Sequence, residues 1–168
     1  MIRILRQIFR TGIVTEPLRP DHDAELWEVG TRLEEVIRKK FRRSLTIRQV
    51  DAGSCNGCEL EIHAMNNPIY NCERFGMHFT ASPRFADLLL VTGPVAHNME
   101  IALRRTYEAT PSPKLVVAVG DCGCNGGIFG QSYASLGGVD KVIPVDAYIP
   151  GCPPTPTALL KGILKSIG

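Results

Sequence analysis

The sequence has no apolar run approaching the roughly 18 residues that a membrane span requires; its longest apolar clusters, 88–91 and 115–119, have the length of buried strands. It has almost no excess of charge, with 19 Lys+Arg against 17 Asp+Glu and a net of +2. So small an excess does not mark a nucleic-acid binder, and no nucleic-acid partner is expected. No unit recurs at a fixed period, which argues against a solenoid. No signal peptide is evident. Disorder is excluded by a composition of 44% apolar and 21% charged residues, and 168 residues suffice to bury a core without covalent staples. Against these absences stand six cysteines. A disulfide scaffold would be shorter, less apolar and secreted, so the thiols read as ligands or redox groups.

The charge is unevenly placed. Residues 1–44 carry ten Lys+Arg and seven Asp+Glu, whereas residues 45–168 carry nine and ten, together with every cysteine. This divides the chain into a basic N-terminal helical extension, 1–44, and a compact domain, 45–168. Wound as a helix, residues 1–12 place Ile2, Leu5, Ile8 and Phe9 on one face and Arg3, Arg6 and Arg10 on another. Such a helix can lie on an anionic membrane surface, dock on a partner, or pack on its own domain. Pro17 and Pro20 interrupt the chain. A second helix is expected over 24–41, with Leu26, Leu33, Ile37 and Phe41 on one face and Asp21 or Asp23 as its cap. Its basic end, from Arg38 to Arg43, suits the helix dipole; phosphate or lipid headgroups are the alternative.

From residue 45 the pattern predicts strands at 45–50, 77–81, 86–92, 115–119, 142–145 and 148–149. Helices are expected at 59–65, 95–107 and 155–167, and glycine-rich loops at 51–57 and 120–127. Strands apolar through their centres and alternating with helices predict an α/β fold with a mostly parallel sheet.

Cys55 and Cys58 form a C-x-x-C directly after the first strand. Cys122 follows the strand at 115–119, and Cys152 follows that at 148–149. The carboxyl ends of parallel strands share one edge, where ligands bind, so these loops can converge. Four thiolates suit an iron–sulfur cluster with one thiolate for each iron. Glycines crowd the same loops and let backbone N–H groups approach an anion, and Cys152-Pro153 repeats the cysteine–proline order that ends bacterial ferredoxin motifs. Structural zinc usually takes paired knuckles rather than one pair and two single cysteines. A thioredoxin-like disulfide would leave Cys122 and Cys152 idle. Cys72 reads as a buried inert thiol. Cys122 and Cys124 form C-x-C, whose spacing does not choose between them; Cys122 lies nearer the strand end.

Residues 51–62 (DAGSCNGCELEI) resemble the cluster loop in the small subunit of membrane-bound, energy-converting nickel–iron hydrogenases. ERFG at 73–76, SPRFAD at 82–87, Thr92-Gly93, Gly120-Asp121-Cys122 and VDKVIPVDAYIPGCPPTP at 139–156 continue the match. The resemblance covers about residues 45–168. The same domain is similar to the 20 kDa subunit of respiratory complex I that carries the terminal cluster before quinone. That subunit has adjacent cysteines where this sequence has C-N-G-C, which places hydrogenase first. The resemblance implies a flavodoxin-like fold and one 4Fe–4S cluster on Cys55, Cys58, Cys122 and Cys152. It matches neither Cys72 nor Cys124 to a ligand position. Further clusters belong to a C-terminal domain in larger relatives, so a single cluster is expected here.

A lone cluster passes single electrons. The resemblance therefore implies a relay between a nickel–iron large subunit and a ferredoxin-like iron–sulfur subunit, on integral membrane subunits that pump ions. It implies a peripheral position on the cytoplasmic side of the membrane. The other readings are a complex I–like quinone or other oxidoreductase subunit and, in another class, a structural zinc-binding interaction module. Glu59, beside Cys58, could carry protons or orient the large-subunit interface, or be an ordinary carboxylate at a helix N-terminus. His63, His78 and His97 are expected at the surface or in packing, Arg84 at a partner carboxylate, the cluster or the plain surface, and Tyr107 and Tyr148 in core or interface positions.

Overall fold

The computed structural model describes residues 2–12 and 24–168. Asp21 and Asp23, expected to cap the second helix, lie outside the described residues. The elements in chain order are α1 (Ile2–Thr11), α2 (Ala24–Phe41), β1 (Leu45–Asp51), α3 (Gly57–Ala64), β2 (Met77–Phe79), β3 (Leu88–Thr92), α4 (His97–Ala109), β4 (Leu115–Val119), α5 (Gly120–Asn125), β5 (Ala147–Ile149) and α6 (Pro156–Ile167).

The five strands form one sheet of order β2-β1-β3-β4-β5, and every pairing is parallel. β3 is buried along its whole length because alternate side chains enter two different cores. Leu88 and Leu90 join Ile47, Val117 and Ile149 under α2, α3 and α6. Leu89 and Val91 join Val50, Val116 and Ala118 on the face covered by Leu103 of α4 and by Val139, Val142 and Ile143. This two-sided burial gives parallel strands their continuous apolar runs. The order is the flavodoxin-like one, which reverses direction between β1 and β3 and leaves a crevice beyond the carboxyl ends of the strands.

Two local differences from the sequence reading have plain causes. Residues 142–145 form no strand: Val142 and Ile143 follow a single 3-10 turn and are buried by packing on the sheet face rather than by pairing in it. The glycine-rich stretch after β4 includes a helical turn, α5, entered directly from the strand.

In α2, Leu26, Val29, Leu33 and Ile37 recur at helical spacing and belong to the main core beside α6. At its basic end, Lys40 Nζ donates to Ile167 O at 2.8 Å, and Arg43 pairs with Asp87 at 2.6 Å. α1, by contrast, buries none of its residues.

Candidate metal centre

The loop after β1 is held by its own side chains. Asp51 Oδ1 accepts from the N–H groups of Gly53 and Ser54 at 2.8 and 2.9 Å, turning the chain as short acids do. The Ser54 hydroxyl donates to Glu59 Oε2 at 2.5 Å and accepts from Asn56 N at 3.1 Å. Cys55 is therefore fixed between two tethered neighbours, exposed at the surface, while Cys58 is buried in the first turn of α3.

The loops after β4 and β5 are clamped together. Asp121 N donates to Gly151 O at 2.9 Å, and Asp121 Oδ1 accepts from Gly151 N at 2.8 Å. The next residue in each loop is a cysteine, so this pair sets Cys122 opposite Cys152. Two glycines are required by close approach. A Cβ at Gly120 (φ +78°) would stand 2.6 Å from Cys58 Sγ, and one at Gly127 (φ +52°) would stand 2.8 Å from Cys122 Sγ. Both positions are left-handed as well, where glycine alone avoids strain.

The four thiols are electrostatic neighbours. Burial pushes the Cys58 thiol up from 9.0 to about 12, helped by negative charge on Glu59, Cys122, Cys55 and Cys152. Burial likewise raises Cys122, with Cys152, Cys55 and Asp121 adding to it. Each thiolate makes the next harder to form. A cleft of about 390 Å³ opens over this group, lined by Cys55, Cys122 and Cys152 with Ile128 and Phe129 as its apolar wall.

The two remaining thiols lie elsewhere. Cys124 turns under the sheet edge, its Sγ 3.9 Å from Ala118 O, and its raised pKa owes nothing to the other cysteines. Cys72 is buried, donating to Asn66 Oδ1 at 3.0 Å. Glu59 is buried, and its Oε1 has no hydrogen-bond partner. His63, His78 and His97 do not line the cleft; His78 Nε2 lies 3.3 Å from Thr46 Oγ1. Tyr107 packs at the edge of the second core under Lys114, and Tyr148 is half-exposed. Arg84 has no ion pair among the described residues.

Sequence reasoning missed Asp121 and Ser54. An aspartate or serine beside a cysteine looks like any loop residue; only Asp121 falling between a strand end and Cys122 hints at a clamp.

Among the described residues, no three His, Cys, Asp or Glu side chains lie close enough to share one metal ion. Tetrahedral zinc would need sulfurs about 2.3 Å from a common centre and hence within about 4 Å of one another. A 4Fe–4S cluster gives each thiolate its own iron and holds the sulfurs farther apart. An all-thiol donor set around a cleft, with glycine where a Cβ would strike the sulfurs, fits the cluster.

A parallel sheet of this order with four thiols gathered beyond its carboxyl edge defines a flavodoxin-like α/β protein with a thiol-rich site at the strand ends. The chain belongs to the family described as NADH ubiquinone oxidoreductase, 20 Kd subunit, whose profile matches residues 55–166. It is 48% identical over 132 residues to formate hydrogenlyase subunit 7 of Escherichia coli, a match covering 79% of this chain and 52% of that protein. The chain thus spans about half the length of that relative. It is 45% identical over 139 residues to the probable membrane-bound hydrogenase subunit mbhJ of Pyrococcus furiosus, covering 81% and 83% of the two chains. Among solved structures it resembles a chain of the membrane-bound sulfane sulfur reductase, an archaeal respiratory membrane complex, with TM-score 0.66 and 41% identity over 81% of this chain and 73% of the other.

Proposed function

We propose that this protein is the electron-relay subunit of a membrane-bound, hydrogenase-type complex and holds one 4Fe–4S cluster on Cys55, Cys58, Cys122 and Cys152. The observation that carries the proposal is the gathering of these four thiols from three strand ends while Cys72 and Cys124 turn away. The cluster, when bound, supplies one-electron transfer. The chain's own residues supply the setting. Asp121 holds the two single-cysteine loops in register through Gly151. Ser54 and Glu59 fix the C-x-x-C loop. That bonding supports a positioning role for Glu59 over the proton transfer its sequence position suggested. Ile128 and Phe129 give one side of the cleft an apolar wall.

The cleft opens to the surface beside Ile128, which is 90% exposed. An apolar rim of this kind supports a subunit contact, since a free surface gains nothing from it. In this reading the rim faces a nickel–iron large subunit, a ferredoxin-like subunit takes or delivers the electron, and membrane subunits that pump ions carry the assembly on the cytoplasmic side. The names of the relatives support a membrane complex. The family's own description favours a second reading, a quinone-reducing oxidoreductase of the complex I type. The C-N-G-C spacing supports the hydrogenase-type reading.

Hydrogen-dependent reduction of a redox dye by the intact complex separates the two. The proposal expects it in the native complex and expects its loss when Cys152→Ser is introduced. A complex that reduces quinone but never a dye from hydrogen belongs to the second reading.

A further inference from the structure

α1 contributes no residue to either core, and none of its residues is buried. Ile2, Ile4, Leu5, Ile8 and Phe9 are all exposed, from 49% for Leu5 to 86% for Phe9. At helical spacing they occupy one arc, and Arg3, Arg6 and Arg10 gather on the opposite side. No acidic residue precedes Glu16 in the sequence. The helix is closed at its far end by Gly12, whose N–H donates to Ile8 O at 3.0 Å in a left-handed conformation. A short helix with an apolar face and an acid-free, arginine-bearing polar face is built for the boundary between headgroups and acyl chains.

Two further observations favour lipid over a protein groove. The polar face carries only one sign of charge, complementary to anionic headgroups along its whole length, and long arginine stems can reach phosphates while the apolar residues sink. No helix among the described residues is long and apolar enough to cross a membrane, although relatives bear membrane-bound names. Contact from the surface reconciles the two.

We infer that α1 lies in the plane of an anionic phospholipid surface, with Leu5, Ile8 and Phe9 toward the acyl chains and Arg3, Arg6 and Arg10 among the phosphates. This goes beyond the relay reading and does not depend on it, because the readout is lipid binding and not cluster chemistry.

The test is flotation of the full chain with vesicles of phosphatidylcholine alone or with about one-third phosphatidylglycerol added. Binding to the anionic vesicles and its weakening by salt are expected. Replacing Arg3, Arg6 and Arg10 by Gln should weaken it about 100-fold, each arginine contributing about fivefold. Phe9→Ser should weaken it by about tenfold while leaving the fold unchanged, as circular dichroism would record. Failure of the wild-type chain to float, or equal flotation of the triple variant, overturns the inference. In the intact complex in vesicles, benzoylphenylalanine in place of Phe9 should label lipid on illumination. Labelling of another subunit alone assigns the face to a protein groove and overturns it equally.

Discussion

Cys72 and Cys58 respond to burial in the same direction, but only Cys58 stands among other thiols. Cys72 is pushed from 9.0 to about 11, first by burial and then by the nearby Glu73 charge. The folded chain therefore keeps this proton to higher pH than the unfolded chain. The stability it contributes is complete below pH 9.0 and is lost as pH rises toward about 11, by about 2 kcal/mol at the upper end of the window. Denaturant titration at pH 8.5 and 10.5 should show a smaller alkaline loss in Cys72→Ala than in the wild-type chain, although the variant starts lower for want of its bond to Asn66. Equal losses would contradict this assignment. The single residues that tether the thiol loops were the least legible in the sequence. Asp121 and Ser54 act through hydrogen bonds whose partners, Gly151 and Glu59, only the folded chain brings near.

At the scale of elements, α2 packs into the main core. The uneven charge, and the placement of every cysteine after residue 44, divide the sequence there. The periodicity of Leu26, Leu33 and Ile37 predicts a helix with one apolar face, and these residues are buried in the main core. Leu33 is fully buried, so Leu33→Ala should cost about 3 kcal/mol of unfolding free energy and lower the melting temperature by several degrees. A change within experimental error would mean that α2 is a dispensable extension. The α2 helix and the strand at 115–119 were legible to the residue, each having a clean period or an unbroken apolar run. The strand expected at 142–145 was not: burial of Val142 and Ile143 by a loop produces the same apolar signature as burial in a sheet. β2 stops at Phe79 because its pairing with β1 ends at Ile47. α5 was hidden by its two glycines, Gly120 against Cys58 Sγ and Gly123 against the backbone of Val91 and Ala118.

At the scale of the whole molecule, the parallel sheet is what makes four cysteines spread over almost a hundred positions into one group. Since β1, β4 and β5 run the same way, the loops after them share an edge. An apolar rim surrounds that edge on one side, and the uncommitted helix α1 offers a second surface. In the proposed relay, the first would face a redox partner and the second the membrane. The central claim is that these four thiols and no others hold one cluster. It is tested most directly by iron, sulfide and zinc analysis of the anaerobically purified chain beside its six single Cys→Ser variants. About four irons and four sulfides per chain are expected in the wild type, Cys72→Ser and Cys124→Ser, with cluster lost in Cys55→Ser, Cys58→Ser, Cys122→Ser and Cys152→Ser. Zinc without sulfide, or iron retained in Cys122→Ser and lost in Cys124→Ser, would contradict it.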